Sequence, residues 1–299
     1  MQFALNYSPQ AAELVRAGQI DIDLFKCPPW TEITAAAQAV RPVYVHFGLQ
    51  AGGGRGLVMV NGDKQPADWG EIERWLQTTA TGFVNLHLEA TASQHPAIPF
   101  ASTSRDDAAI VTAAYCRDVM AAVAQFGAER VIVENNHGNN NKAIAAGILP
   151  EVIADVVANT GCGFLLDLSH ARLAARRLGM DESEYLARLP TGSTREIHLT
   201  GLQPFGSPWE ERMRANGVDE ARIARHQGRW LDHLPLTEAD WPVMAWAAAE
   251  IRQGRWGQPQ IIAVECGGAG PLWQALTDAG ALAEQIPRLW AIFDRESGG

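Results

Sequence analysis

The chain has 299 residues, 47 % of them hydrophobic and 19 % charged, and a formal net charge of −10. This is the balance of an ordinary globular protein, and the length allows a core that folds without a disulfide or a structural metal. An acidic chain without a basic cluster is a poor ligand for nucleic acid, because affinity for phosphates comes mainly from lysine and arginine. We therefore expect no nucleic-acid partner.

The cysteines and the hydropathy pattern bear on the cellular compartment. Four cysteines, at positions 27, 116, 162 and 266, show no CxxC spacing, which is typical of reduced thiols in a cytoplasmic protein. Cys27 and Cys266 lie at predicted strand ends, where we expect small buried side chains rather than metal ligands. The N-terminus has no basic region followed by an apolar core, and no run of about 18 apolar residues occurs. We predict a cytoplasmic protein with no membrane contact.

Eight short apolar runs predict strands that alternate with helices along the chain. The strands are expected at 3–7, 23–27, 42–47 and 82–88, and in four further runs ending at Glu134, Asp167, His198 and Glu265. The helices are expected at 9–17, 31–40, 68–78, 104–126, 150–159, 168–189, 237–253 and 271–293. This order predicts an α/β fold, a (β/α)8 TIM barrel, that occupies residues 1–299 as a single domain.

Two segments lack a clear periodicity. The glycine-rich stretch 51–56 has no Lys-Ser/Thr after it, so we predict a flexible loop rather than a phosphate-binding loop. The segment 201–236 is long and irregular, which predicts a functional loop or lid inserted in the barrel.

Six predicted strands end in a side chain that can bind a metal ion. They are His46, His87, Glu134, Asp167, His198 and Glu265. Consecutive members are 31 to 67 positions apart, about one or two βα units of a barrel. Because α/β barrels keep their chemistry at the carboxyl ends of the strands, we expect these side chains to converge.

The mixture of imidazoles and carboxylates points to iron, manganese or zinc. A single such residue is usually structural, but buried carboxylates are costly unless they are paired or bound to metal. Six ligands exceed what one tetrahedral zinc requires, so we predict two or three ions. His170, three residues after Asp167, and the adjacent Asp232 and His233 are further candidate ligands.

Other residues near the strand ends suggest roles in catalysis and substrate binding. We predict Glu134 and Glu265 as catalytic residues that bridge metals or relay a proton. Lys26, Asn135 and Trp230 are candidate substrate contacts. For Lys26 two interpretations are equally good: a positioning cation, or the partner of an acidic residue.

The segments around these residues resemble a known family. They are 45–48 (VHFG), 84–88 (VNLHL), 133–135 (VEN), 160–167 (TGCGFLLD) and 197–201 (IHLTG). The chain resembles the multinuclear non-heme iron-dependent oxidative enzymes of the methanobactin-biosynthesis type, which belong to the xylose-isomerase-like TIM barrels. The resemblance covers nearly the whole chain and keeps the motifs in order.

This resemblance implies a cofactor, a substrate class and a partner. Two or three irons would be held by His46, His87, Glu134, Asp167, His198, His233 and Glu265. The reaction would use dioxygen to modify a peptide or small substrate, with a partner protein presenting it. Zinc and manganese are the alternative metals.

Three alternatives remain on sequence grounds. The first is a sugar isomerase or epimerase with one or two divalent ions and Glu134 with Glu265 as its acid–base pair. The second is a zinc phosphodiesterase, which the acidic charge disfavours. The third is a barrel that binds a metal or a partner without turnover.

Overall fold

The computed structural model describes residues 1–61, 63–138 and 142–293, which form thirteen strands and twelve α-helices. The strands are β1 (Gln2–Asn6), β2 (Leu24–Cys27), β3 (Val43–Val45), β4 (Leu49–Ala51), β5 (Val58–Asn61), β6 (Asp63–Pro66), β7 (Val84–Leu88), β8 (Val131–Glu134), β9 (Gly163–Asp167), β10 (Thr194–Leu199), β11 (Gly201–Pro204), β12 (Trp230–Leu234) and β13 (Ile261–Val264). The helices are α1 (Pro9–Arg16), α2 (Thr31–Gln38), α3 (Trp69–Thr78), α4 (Arg105–Phe126), α5 (Pro150–Thr160), α6 (Leu168–Leu178), α7 (Glu182–Arg188), α8 (Ser207–Ala215), α9 (Glu220–Ala224), α10 (Trp241–Arg252), α11 (Pro271–Leu276) and α12 (Ala279–Phe293).

The eight predicted strands all occur, as β1, β2, β3, β7, β8, β9, β10 and β13. Every residue of β2, β8 and β13 is buried, which is why these strands are apolar without alternation, apart from Lys26 in β2 and Glu134 at the end of β8. The structure has five more strands than the sequence predicts. Three of them, β4 to β6, follow β3, and the other two, β11 and β12, lie in the predicted loop 201–236.

The chain divides into two compact units. The first contains residues 1–44 and 198–299. In it, β1 pairs in parallel with β2 on one side and with β13 on the other. The register opposes Asn6 to Lys26 and Leu5 to Val264. Lys26 in β2 and Glu265, which directly follows β13, are therefore at the carboxyl ends of strands that flank the same neighbour.

The second unit contains residues 45–197. Strands β4, β7, β8 and β9 pair in parallel in that order, and β5 and β6 extend the sheet as an antiparallel hairpin. The pairing of β7 with β8 places His87 directly opposite Glu134. Phe83, Ile132 and Leu165 form a buried cluster beneath this part of the sheet.

The glycine-rich segment 51–56 is a loop, as predicted, but it is anchored rather than flexible. The backbone amides of Gly52, Gly54 and Gly56 all donate to the carboxylate of Asp118, at 2.9, 2.9 and 2.7 Å. Convergent amides of this kind can bind an anion. Here the protein's own buried carboxylate accepts all three bonds, which agrees with the prediction that this is no phosphate-binding loop.

The prediction of an uninterrupted loop at 201–236 is wrong. The antiparallel pair β11–β12 and the helices α8 and α9 lie there. Buried apolar residues from this segment and from α11 form one cluster: Phe205, Met213, Val218, Ile223, Leu231, Leu234, Ala275 and Leu276. These elements are not apparent from the sequence because each is short and buries only one or two apolar side chains, too few to show a period. The lid role and the single-domain organisation stay predictions.

Helix α4 is the one described helix that is long and apolar enough to cross a membrane by length and composition. One side of it is buried in the fold, and Asp118 and Tyr115 lie on that side. The Tyr115 hydroxyl accepts from the amide of Ala90 and donates to the carbonyl of Gly147. These bonds to neighbouring segments are those of a helix packed within the protein.

We expect Asp118→Asn to destabilise the second unit. An asparagine presents an N–H where three backbone amides need acceptors, and a hydrogen bond to a charged group contributes roughly 1.5–3 kcal/mol. Unfolding in urea should show a loss of about 2–3 kcal/mol relative to the wild type. Asp106→Asn, an exposed aspartate of the same helix, is the control and should change stability by less than about 0.5 kcal/mol. Equal effects of the two substitutions would contradict the anchoring role of Asp118.

Candidate metal centre

The core of the candidate centre is formed by His87 in β7 and Glu134 in β8. The register makes them neighbours, and His87 Nε2 lies 3.2 Å from Glu134 Oε2. The Glu134 side chain is only 2 % exposed. A buried carboxylate is costly unless it is neutralised by a positive group or a metal.

The hydrogen bonds of His87 define its tautomer. Its Nδ1 lies 3.1 Å from the carbonyl oxygen of Leu49. A carbonyl can only accept, so Nδ1 carries the proton and Nε2 presents a lone pair in the neutral ring. Metal-binding histidines commonly donate the second ring N–H to a backbone carbonyl in this way.

His46, which directly follows β3, is oriented by Asn85. The Asn85 amide bonds the backbone of Phe47 on both sides, with Oδ1 accepting from the amide (2.7 Å) and Nδ2 donating to the carbonyl (3.0 Å). This fixes the orientation of the amide and places Nδ2 3.1 Å from His46 Nε2. An N–H donor facing Nε2 means that this nitrogen is unprotonated, and its single lone pair accepts from Asn85 here. The same lone pair would bind a metal in place of that hydrogen bond.

Three Lewis-base atoms therefore lie close to one another. His46 Nε2 and His87 Nε2 are 3.2 Å apart, and Glu134 Oε2 is 3.4 Å from the first and 3.2 Å from the second. With metal–ligand distances of about 2.0–2.1 Å, two ligands on a tetrahedral ion lie about 3.3–3.4 Å apart. The spacing and the chemistry of these three donors fit a metal ion such as iron or zinc.

His170, in the first turn of α6, contacts the other oxygen of Glu134. Its Nδ1 lies 2.9 Å from the carbonyl oxygen of Asn135 and 3.3 Å from Glu134 Oε1. The carbonyl again assigns the proton to Nδ1, so an N–H group lies near Glu134 Oε1, whereas His46 and His87 lie near Oε2. The remaining nitrogen, Nε2, lies 3.7 Å from Asp167 Oδ2.

Asp167 divides its carboxylate between two roles. Its Oδ1 caps α6 by accepting from the His170 amide (2.8 Å) and from the Ser169 hydroxyl (2.7 Å). The cap fixes the side chain and leaves Oδ2 near the His170 ring. Asp167 Oδ2 and His170 Nε2 are thus a second pair of donor atoms in this unit.

Asn135 has a structural role that the sequence does not predict. Its Nδ2 donates to the carbonyl of Asp167 and its Oδ1 accepts from the amide of Asp167, both at 2.9 Å. The fully buried amide thus joins the end of β8 to the end of β9. The predicted substrate contact of Asn135 stays a prediction.

The first unit has its own cluster, centred on Glu265. The Lys26 ammonium contacts Glu265 Oε1, and His198 Nδ1 lies 3.2 Å from the same oxygen. His233 Nε2 is 3.6 Å from Oε2. Lys26 is thus paired with an acidic residue, and its predicted contact with substrate stays a prediction.

The adjacent ligand candidates in β12 differ in their surroundings. His233 has φ +58°, the one positive φ of a non-glycine residue among those described, and its ring lies 4.5 Å from that of Trp273. Such strained backbone is often found at functional sites. Asp232 is half-buried in the same strand, and Trp230 at the start of β12 is 38 % exposed.

The two cysteines at strand ends are buried and protonated. Burial raises the pKa of the Cys266 thiol to about 12 and raises the pKa of Cys27 far above its ordinary value. The thiolate is the form that binds metals. Both residues therefore fit the prediction of small buried side chains.

Two residues near His46 were not predicted as part of the site. Asn85 lies inside an apolar strand, and Glu196 is 2 % exposed in β10 with a carboxylate oxygen within 4.8 Å of a His46 nitrogen. Asn85 could have been found as a polar side chain inside an otherwise apolar run. Glu196 follows Thr194 and Arg195 in its strand and gives no such signal.

Comparison with solved structures supports the predicted fold. A xylose isomerase domain containing protein from Salmonella typhimurium LT2 is 12 % identical, with a TM-score of 0.53, over 98 % of this chain and 97 % of that one. This likeness confirms the prediction of an α/β, xylose-isomerase-like TIM barrel.

Curated relatives match shorter segments. A UPF0276 protein of Bordetella pertussis is 45 % identical over 51 residues, which are 17 % of this chain and 18 % of that protein. A UPF0276 protein of Anaeromyxobacter sp. is 34 % identical over 106 residues, 31 % of this chain and 38 % of that protein. The matched segments thus cover much less than two thirds of these relatives.

The model of the family described as RiPP precursor modification enzyme MbnB/TglH/ChrH matches residues 71–227, just over half of the chain. The match includes His87, Glu134, Asp167, His170 and His198. It confirms the family resemblance seen in the sequence motifs: this chain belongs to the MbnB/TglH/ChrH family of RiPP precursor modification enzymes.

Proposed function

We propose that this protein is a metal-dependent enzyme that oxidatively modifies a peptide precursor, with iron bound by His46, His87 and Glu134. The observation that supports this most strongly is the meeting of three Lewis-base atoms within 3.2–3.4 Å of one another. Family membership favours the peptide substrate. Imidazole and carboxylate donors suit non-heme iron.

The iron would supply one-electron chemistry with dioxygen. The residues around it hold the donors in place: the Leu49 carbonyl fixes the His87 ring, and Asn85 bonds the backbone of Phe47, next to His46. His170 Nδ1–H stabilises the negative charge of Glu134 at Oε1. We assign Asp167 Oδ2 and His170 Nε2 as donors for a second ion, in agreement with a centre of two or more irons.

Glu134 is the group best placed to move a proton in this unit. One oxygen faces the ring nitrogens of His46 and His87, and the other lies 3.3 Å from His170 Nδ1. Catalytic proton transfer by Glu134 is thus part of the proposal.

The peptide, its partner and the cellular compartment complete the proposal. We expect a cysteine-containing peptide as substrate, presented by a partner protein. A cytoplasmic location agrees with the four cysteines, all of which are free thiols, because thiols stay reduced in that compartment.

We expect Glu134→Gln to lower the iron retained after anaerobic purification by about one equivalent, because a neutral amide is a much weaker ligand than a carboxylate. Elemental analysis of the folded proteins measures this. Glu129→Gln, an exposed glutamate just before β8, is the matched control and should retain the wild-type amount.

The alternative explanation is that His46, His87 and Glu134 only form hydrogen bonds with one another, with His87 as an imidazolium paired with Glu134. It predicts that the wild type retains less than one equivalent of any transition metal and that Glu134→Gln changes nothing. That result would contradict the proposed function. Tight binding of manganese together with interconversion of an aldose and a ketose would instead identify the isomerase alternative.

We expect Asn85→Asp to weaken iron binding without removing a ligand. The aspartate has no N–H to bond the Phe47 carbonyl, so the backbone next to His46 loses one of its two bonds to this side chain. Loss of such a supporting hydrogen bond commonly weakens metal affinity by about 10- to 100-fold. Competition with a chelator measures the affinity. Asn159→Asp, on the exposed side of α5, is the control, and an equal loss there would show that the effect is not specific to the centre.

A further inference from the structure

Lys26 and Glu265 form a buried ion pair at the carboxyl ends of β2 and β13. Their side chains are 6 % and 4 % exposed, and the ammonium contacts Glu265 Oε1 directly. A buried carboxylate requires a compensating positive group. In the first unit, a lysine supplies it.

The surroundings of this pair otherwise look like those of a metal ligand. His198 Nδ1 lies 3.2 Å from Glu265 Oε1, and His233 Nε2 lies 3.6 Å from Oε2. Two imidazoles and one carboxylate are also the donor types found around Glu134. The difference between the two clusters is the ammonium of Lys26.

The geometry of the donors differs as well. His46, His87 and Glu134 bring their donor atoms within 4.8 Å of one another. Among the residues described, no such group includes Glu265. The two histidines approach different oxygens of Glu265, while the ammonium is bonded to one of them.

We propose that the Lys26 ammonium takes the place of a metal cation on Glu265. In the wild-type protein Glu265 then binds no metal, and the ions are held around Glu134. Removing the lysine charge creates a metal site at Glu265 with His198 and His233. The proposal concerns the first unit and uses the proposed Glu134 centre only as its reference.

The physical reason is repulsion between cations. A divalent ion on Glu265 would sit within a few ångströms of a buried ammonium, where water screens the repulsion poorly. The ammonium also donates to the carboxylate and so satisfies the lone pair that a metal would use. With a neutral residue at position 26, both obstacles are removed.

Lys26→Gln tests this directly, because glutamine keeps a hydrogen-bond donor for Glu265 but carries no charge. The protein is loaded with cobalt(II) under anaerobic conditions and desalted, and its cobalt content and visible spectrum are measured. We expect Lys26→Gln to bind about one equivalent more than the wild type, with a new set of absorption bands. Lys26→Arg keeps the charge and should bind the wild-type amount.

Substitution of Glu265 provides a second test of the proposal. In the Lys26→Gln background, Glu265→Gln should abolish the additional equivalent. In the wild-type background, Glu265→Gln should leave the cobalt content unchanged. This measurement tests the proposal even if the Lys26→Gln protein does not fold. Circular dichroism verifies that each protein measured is folded.

Two results would overturn the inference. One is loss of an equivalent on Glu265→Gln in the presence of Lys26, which would make Glu265 a ligand of the wild-type protein. The other is a folded Lys26→Gln protein with the wild-type cobalt content. Failure of the proposed function is distinguishable, because it appears as an unchanged metal content in Glu134→Gln, whatever residue stands at position 26.

Discussion

The buried carboxylate of Glu134 is the group on which the candidate centre depends. It is placed by the parallel pairing of β7 with β8, which sets it opposite His87. Its two oxygens are then used differently, with Oε2 facing two ring nitrogens and Oε1 lying 3.3 Å from His170 Nδ1. Because a negative charge is costly in the interior, the protein has to gather positive or metal-binding groups around this one side chain. The rest of the centre follows from that requirement.

The two units satisfy the same requirement in different ways. Around Glu134 the neighbouring groups are imidazoles whose lone pairs converge, whereas around Glu265 the nearest group is the ammonium of Lys26. An ammonium is a permanent part of the chain and carries one charge, while a metal ion brings two or more charges and an open position for substrate. The structure thus combines a cluster suited to a metal with a cluster that the chain neutralises by itself.

Polar side chains that bond the backbone give both the fold and the centre their rigidity. Asn85 bonds Phe47 and so orients His46, and Asn135 joins the ends of β8 and β9. Asp118 collects the amides of the glycine-rich loop. Each of these side chains is buried and forms hydrogen bonds to main-chain atoms, which satisfies polar groups in the interior. Groups fixed in this way allow the donor atoms little movement, which metal binding by a preformed site requires.

The sequence by itself determined the eight barrel strands, the family and the polar residues at the strand ends, because apolar runs and the residues that follow them are local features. It did not reveal β11, β12, α8 and α9, whose short lengths leave no period. Only the tertiary structure decided which atoms meet. The tautomer of His87 depends on a carbonyl 38 positions away in the chain, and the choice of Lys26 as partner of Glu265 depends on two strands that flank β1. Contacts between distant residues arise from strand register and burial. Neither of these can be inferred from the spacing of ligand-type residues along the sequence.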